Sequence, residues 1–145
     1  MGDLYTVTNA LSQTTTYTQY DRAGHLLSSQ DANGVVTQST YWPRGWLKTQ
    51  SVVAGSVTQT TSYDYDGVGQ LKKVTQPDAS FVSYTYDDAH RLTDITDSQN
   101  NSIHYTLDAA GNRTAETVKD PAGILKRTTT RVFDQLGRLQ NVVVQ

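Results

Sequence analysis

Apolar and β-prone residues along this chain alternate with polar ones over short stretches, and each alternation stops at turn-forming residues. Val35, Thr37, Ser39 and Tyr41 take every second position, as do Val82, Tyr84 and Tyr86, and Ile103, Tyr105 and Leu107. A period of two built on Val, Thr and Tyr predicts half-buried strands. Each stretch runs into a phrase with Asp first and Gly fourth. That spacing suits a tight turn in which the carboxylate accepts backbone amides and Gly takes a positive φ. A second strand follows, such as Leu71–Thr75 or Leu92–Thr96. A second turn then closes the unit at Asp31-Ala32-Asn33-Gly34, Gln76-Pro77-Asp78-Ala79, Ser98-Gln99-Asn100-Asn101 and Asp120-Pro121-Ala122-Gly123. No stretch sustains an i, i+3, i+4, i+7 apolar pattern, so the prediction is all-β, with two strands and two turns to each unit.

The turn phrase comes back six times. It reads Tyr20-Asp21-Arg22-Ala23-Gly24-His25-Leu26, Tyr41-Trp42-Pro43-Arg44-Gly45-Trp46-Leu47 and Tyr65-Asp66-Gly67-Val68-Gly69-Gln70-Leu71. The later copies are Tyr86-Asp87-Asp88-Ala89-His90-Arg91-Leu92, Leu107-Asp108-Ala109-Ala110-Gly111-Asn112-Arg113 and Phe133-Asp134-Gln135-Leu136-Gly137-Arg138-Leu139. The lead residues stand at 20, 41, 65, 86, 107 and 133, a period of roughly 21 to 26 residues that marks a tandem-repeat architecture. Gly2-Asp3-Leu4 matches the end of the phrase, so residues 1–145 read as a single array of about six hairpin repeats whose first copy is truncated. Where Trp42 replaces the Asp, Pro43 pre-sets the turn. Where His90 replaces the Gly, His is among the side chains that tolerate positive φ. Leu71 and Val74 are an odd step apart, which predicts a β-bulge after the turn.

Composition narrows the function more than the fold. A formal charge of -2 over 145 residues is too small to steer nucleic acid or an anionic membrane. There is no cysteine, hence no disulfide framework and no thiolate metal site. No apolar run is long enough to span a membrane, and no signal peptide opens the chain.

Tyr-Asp-x-x-Gly-x-Leu, the doublet Tyr84-Thr85-Tyr86-Asp87 and the variant Asp108-Ala109-Ala110-Gly111-Asn112-Arg113-Thr114 resemble the YD repeats of the Rhs family. That family includes polymorphic toxins, toxin-complex C subunits, wall-associated toxins and teneurins. The resemblance covers the chain from Gly2 to about Val144. It implies a curved or spiralling antiparallel sheet, part of a hollow β-shell. It also implies a secreted or cell-surface setting, with neighbouring YD repeats and a C-terminal toxin domain as partners within the parent protein. The family's autocleavage motif has no match, since Asp120-Pro121-Ala122-Gly123 falls where a repeat-closing turn belongs.

The recurring Tyr20, Asp21, Gly24, Tyr41, Gly45, Tyr65, Asp66, Gly69, Tyr86, Asp87, Asp108, Gly111, Phe133, Asp134 and Gly137 are read as structural turn residues, because one explanation must serve every copy. Catalytic, cofactor-binding and metal-binding residues are expected to be absent. His25, His90 and His104 fall at unrelated points of the repeat, no Gly-x-Ser-x-Gly phrase occurs, and Asp64, Asp66, Asp87 and Asp88 lack the spacing of a calcium loop. Lead tyrosines are expected to form a ladder down one face. Trp42 and Trp46 break the pattern and are the candidate contact residues. The expected role is therefore a structural, non-catalytic shell segment that encloses a C-terminal toxin. The alternative is an extracellular module that binds carbohydrate or a cell surface through the Trp42 turn. Open sheet ends predict homo-oligomers formed by edge pairing or hairpin exchange.

Overall fold

The computed structural model describes residues 3–145, so Gly2 lies outside the described residues. Thirteen strands follow one another in sequence order in one open antiparallel sheet. They are β1 (Thr6–Thr8), β2 (Thr14–Tyr20), β3 (Leu26–Gln30), β4 (Val36–Tyr41), β5 (Leu47–Ala54), β6 (Val57–Tyr65), β7 (Leu71–Thr75), β8 (Phe81–Tyr86), β9 (Leu92–Asp97), β10 (Ser102–Leu107), β11 (Arg113–Lys119), β12 (Leu125–Phe133) and β13 (Leu139–Val144). The all-β hairpin architecture agrees with the alternation read from the sequence.

The chain divides into two units, residues 1–64 with 75–79, and residues 65–74 with 80–145. In the second unit the registers line up residues across several strands. Tyr84, Ile95, Ile103 and Val118 form one apolar row. One step along, Thr85, Asp94, His104, Thr117 and Thr128 form a polar row on the opposite face. Period-two alternation is thus converted into one apolar and one polar face. In the first unit polar pairs tie the strands together: Thr40 to Thr49 at 2.6 Å, Ser51 to Thr60 at 2.8 Å and Thr8 to Thr14 at 2.8 Å.

A bulge of the kind expected at Leu71 recurs after five other phrase turns. Tyr41 pairs with Leu47 but Thr40 pairs with Thr49, which leaves Lys48 unopposed. The same step leaves Leu27, Thr93, Thr114 and Gln140 unopposed in β3, β9, β11 and β13. An extra residue disrupts the ladder, and side chains repair it. The Thr93 hydroxyl donates to the Thr85 carbonyl, and the Thr114 hydroxyl to the Thr106 carbonyl, both at 3.2 Å.

Two details differ from the sequence reading. The turn expected at 98–101 starts one residue earlier: the Asn100 N–H donates to the Asp97 carbonyl, and Asn100 has φ 68°. Asp97 is both the last residue of β9 and the first of the turn, so the alternation conceals it. The repeat between leads 41 and 65 uses a two-residue connection, Ala54 pairing with Val57 across Gly55 at φ 60°. Burial is thin throughout. Among the described residues Tyr105 is the one buried hydrophobic side chain, at 8% exposure.

Candidate functional site: the phrase turns and the Trp42 turn

Each phrase turn is closed by backbone and carboxylate together. In the copy at 87, the Asp87 N–H donates to the Arg91 carbonyl and the His90 N–H donates to the Asp87 carbonyl, at 3.0 and 2.9 Å. Asp87 Oδ1 then accepts the amides of Ala89 and Arg91 at 3.0 and 2.9 Å. Asp21, Asp66 and Asp134 repeat this arrangement. Asp31, Asp97 and Asp120 do the same in the closing turns, and Asn9 stands in through its amide oxygen. The fourth residue sits in the left-handed region: Gly24, Gly45, Gly69, Gly111 and Gly137 at φ 73° to 96°, and His90 at 63°. Tolerance of His at the glycine position is therefore met in the geometry, as is the turn at 120–123.

The residue after the glycine carries a role the phrase hid. His25 Nδ1, Arg91 Nε, Asn112 Nδ2 and Arg138 Nε each lie 2.8 or 2.9 Å from Oδ2 of their own turn aspartate. Hydrogen bonds to the ionised form lower a carboxyl pKa. Asp21 is held below the usual carboxylate range by the His25 side chain and amide, Asp87 by the Arg91 guanidinium and amide, and Asp108 by the Asn112 side chain and amide. At Asp66 burial pushes upward, but the amides of Gln70, Val68 and Gly69 outweigh it. The same position also reaches the next repeat. Gln70 donates to the His90 carbonyl at 2.7 Å, and Arg91 Nη1 to the Asp108 carbonyl at 2.8 Å. His25 stacks on Tyr41 with ring centroids 4.8 Å apart.

Three lead tyrosines reach back one repeat through their hydroxyls. The Tyr41 hydroxyl donates to the Leu26 carbonyl at 3.0 Å, Tyr86 to Leu71 at 2.8 Å and Tyr20 to Leu4 at 2.7 Å. In each case the acceptor is the phrase leucine of the preceding repeat. Ladder pairing of β3 with β4 begins at Ser28, so the Tyr41 hydroxyl extends the link between these strands back to Leu26. Leu4 therefore behaves as a phrase leucine, and Leu107 and Phe133 lack the hydroxyl. Removing the Tyr86 hydroxyl as Tyr86→Phe is expected to cost about 0.5–1.5 kcal/mol in urea unfolding.

The second phrase lacks a carboxylate and keeps its backbone bonds, Trp42 N–H to the Trp46 carbonyl and Gly45 N–H to the Trp42 carbonyl, both at 2.8 Å. Trp42 is 36% exposed, and its indole N–H donates to the Tyr63 carbonyl at 3.3 Å. Lys48 Nζ lies 4.6 Å from the Trp42 ring centre, and the Arg44 guanidinium 5.4 Å from that of Trp46. A cation thus covers one face of each indole. The histidines are more engaged than the sequence suggested. His25 and His104 sit 2.8 and 2.7 Å from Asp21 and Asp94, and His90 Nδ1 sits 3.0 Å from the Gln70 amide oxygen. Among the described residues no group of three or more His, Asp or Glu side chains could hold a metal ion, and no helix is long and apolar enough to cross a membrane.

The family described as RHS Repeat matches residues 2–36, 65–101 and 86–125, more than half of the chain. No curated protein matches it significantly. Among solved structures, the TcdB2-TccC3-Cdc42 crystal structure superposes with a TM-score of 0.78 at 23% identity, over 88% of this chain and 7% of that one. TcdB2-TccC3-TEV gives 0.66 at 19% identity, over 92% and 9%. The Photorhabdus luminescens Tc holotoxin pore gives 0.65 at 19% identity, over 90% and 9%. The chain spans less than a tenth of each of these, and identities this low speak for the fold alone. Six in-phase turns, five of them capped by aspartate, and the matched segments together place this chain in the RHS repeat family.

Proposed function

We propose that this chain is a non-catalytic stretch of wall, one continuous array of YD repeats in a larger secreted or cell-surface shell that encloses a C-terminal toxin. The observation that carries the reading is the engagement of the recurring acids. Each phrase aspartate is occupied by amides of its own turn, and by a side chain of that turn in four of the copies. A sheet with one buried hydrophobic residue is also what a wall needs before other parts cover it. Limited proteolysis of the longer protein tests this. The segment downstream of the repeats is expected to survive until the sheet is unfolded, and its prompt release from the folded protein would count against enclosure.

A second reading, recognition of a glycan or a cell-surface protein by the Trp42 turn, draws on the exposure of Trp42 and on Arg44 and Lys48 in a turn without a carboxylate. The cations over the two rings leave less aromatic face for a sugar. Saturable binding on a glycan panel, lost in Trp42→Ala, would support it.

The strand β13 predicts the solution behaviour of the 145-residue polypeptide. It pairs with β12 alone in this chain, carries no charge and exposes Leu139, Val142, Val143 and Val144. An uncharged apolar edge is a template for another strand. Light scattering at micromolar concentration is expected to show a dimer or larger species, reverting to monomer in Val143→Lys. A monomeric parent chain would contradict this.

A further inference from the structure

Asn33 stands apart from the other turn asparagines. It is the third residue of the turn Asp31–Gly34, exposed, and followed by Gly34 at φ 80°. Asn9 Oδ1 is held by the amides of Leu11 and Gln13, and the Asn101 and Asn112 amides donate to Asp97 and Asp108. The Asn33 backbone N–H donates to Asp31 Oδ1 at 2.9 Å, while its side chain makes no hydrogen bond to any described residue. It is also the one asparagine in the chain followed directly by glycine. Glycine lacks a Cβ, so its nitrogen can approach a neighbouring carbonyl carbon closely.

We propose that Asn33–Gly34 is a self-modification site, at which the chain converts its own asparagine to aspartate and isoaspartate. The Gly34 nitrogen, after losing its proton to solvent base, forms a bond to Asn33 Cγ, and the side-chain nitrogen leaves as ammonia. Water then opens the resulting cyclic imide at either carbonyl. The balance is one amide and one water consumed, one carboxylate and one ammonia formed. The step requires the Gly34 N–H bond to the Asp31 carbonyl, 3.1 Å long, to open, so the rate follows local opening of an exposed turn.

Asp66–Gly67 provides an internal contrast, because it too could form such an imide. There Oδ1 is fixed by the amides of Val68 and Gln70 at 3.0 and 2.9 Å, and an ionised carboxylate is a poor electrophile. Asp66 is therefore stable where Asn33 is not. Isoaspartate at position 33 would add a backbone methylene inside the loop that Asp31 closes onto Val35, loosening the β3–β4 hairpin.

The test is incubation of the folded chain in mildly alkaline buffer, followed by peptide mapping. The expected result is the mass gain of an amide-to-acid exchange in the peptide containing Asn33, several-fold faster than at Asn9, Asn100, Asn101 or Asn112. Isoaspartyl methyltransferase labelling should accompany it, Asn33→Gln should abolish both signals, and Asp31→Ala, which frees the turn, should speed them. If the folded chain gains no mass while a synthetic peptide of residues 30–36 reacts, the fold protects the site and the proposal is wrong. Equal rates at all the asparagines would overturn it as well.

Discussion

Acidification is expected to unfold this sheet steeply once the pH falls below about 4, the ordinary range of an aspartate carboxyl. Asp21, Asp66, Asp87, Asp97, Asp108, Asp120 and Asp134 all have carboxyl pKa values lowered in the folded chain. A group depressed on folding contributes stability that is fully present above its unfolded value, and that stability is lost as pH falls through the folded value. Every one of these groups acts in the same direction and in the same window, so their losses accumulate. Each sits at a turn joining neighbouring strands, and in a repeat array the loss of neighbour terms spreads along the chain. Far-UV circular dichroism against pH checks this. Asp87→Asn should both destabilise the chain at neutral pH and make its acid transition shallower, because one titrating cap is gone. A sheet unchanged down to pH about 2 would show that the caps do not couple to folding.

Among single substitutions at Gly24, Gly45, Gly111 and Gly137, Gly45→Ala is expected to be the most damaging. Gly24 and Gly45 have nearly the same backbone, φ 86° and 85°, so both pay roughly 1–2 kcal/mol for a side chain in the left-handed region. Their surroundings differ. A Cβ on Gly24 would meet nothing within 4 Å, whereas on Gly45 it would lie 2.9 Å from His25 Nε2 and 3.2 Å from Cε1. His25 cannot simply swing away, because Asp21 holds its Nδ1 at 2.8 Å and Tyr41 stacks on its ring. Gly45→Ala should therefore cost more than Gly24→Ala in urea unfolding, and the excess should vanish in the background of His25→Ala. A double-mutant cycle isolates that coupling. Equal costs for the two glycine variants would remove the His25 contact from the account.

Much of the fold was legible in the sequence because its signals are local. Alternation over Val82–Tyr86 or Ile103–Leu107 specifies a strand, and Asp and Gly three apart specify a turn, whatever lies elsewhere. The parity of Leu71 and Val74 pointed to a bulge after the turn, the irregularity seen after the turns at 20, 41, 86, 107 and 133. What stayed hidden depends on pairing between distant residues. The lead tyrosine looked like a packing residue, and its hydroxyl bond to a carbonyl 15 residues back, as from Tyr86 to Leu71, depends on how neighbouring repeats are placed. The residue after the glycine looked variable, yet His25, Arg91 and Asn112 share one job through different chemistry. His104 meets Asp94 because the register of β9 with β10 sets them opposite each other, which no spacing along the chain reveals. The closing turn at Asp97 was misplaced by one residue because its aspartate completes the strand pattern of β9.

The wall reading is tested most directly by an electron cryo-microscopy map of the longer protein that carries this segment. Residues 3–145 are expected as consecutive strands of one sheet, with further strands paired to β1 and β13 and a downstream segment enclosed. A map showing both edges bare, the downstream segment outside, and a ligand seated on the Trp42 turn would contradict it.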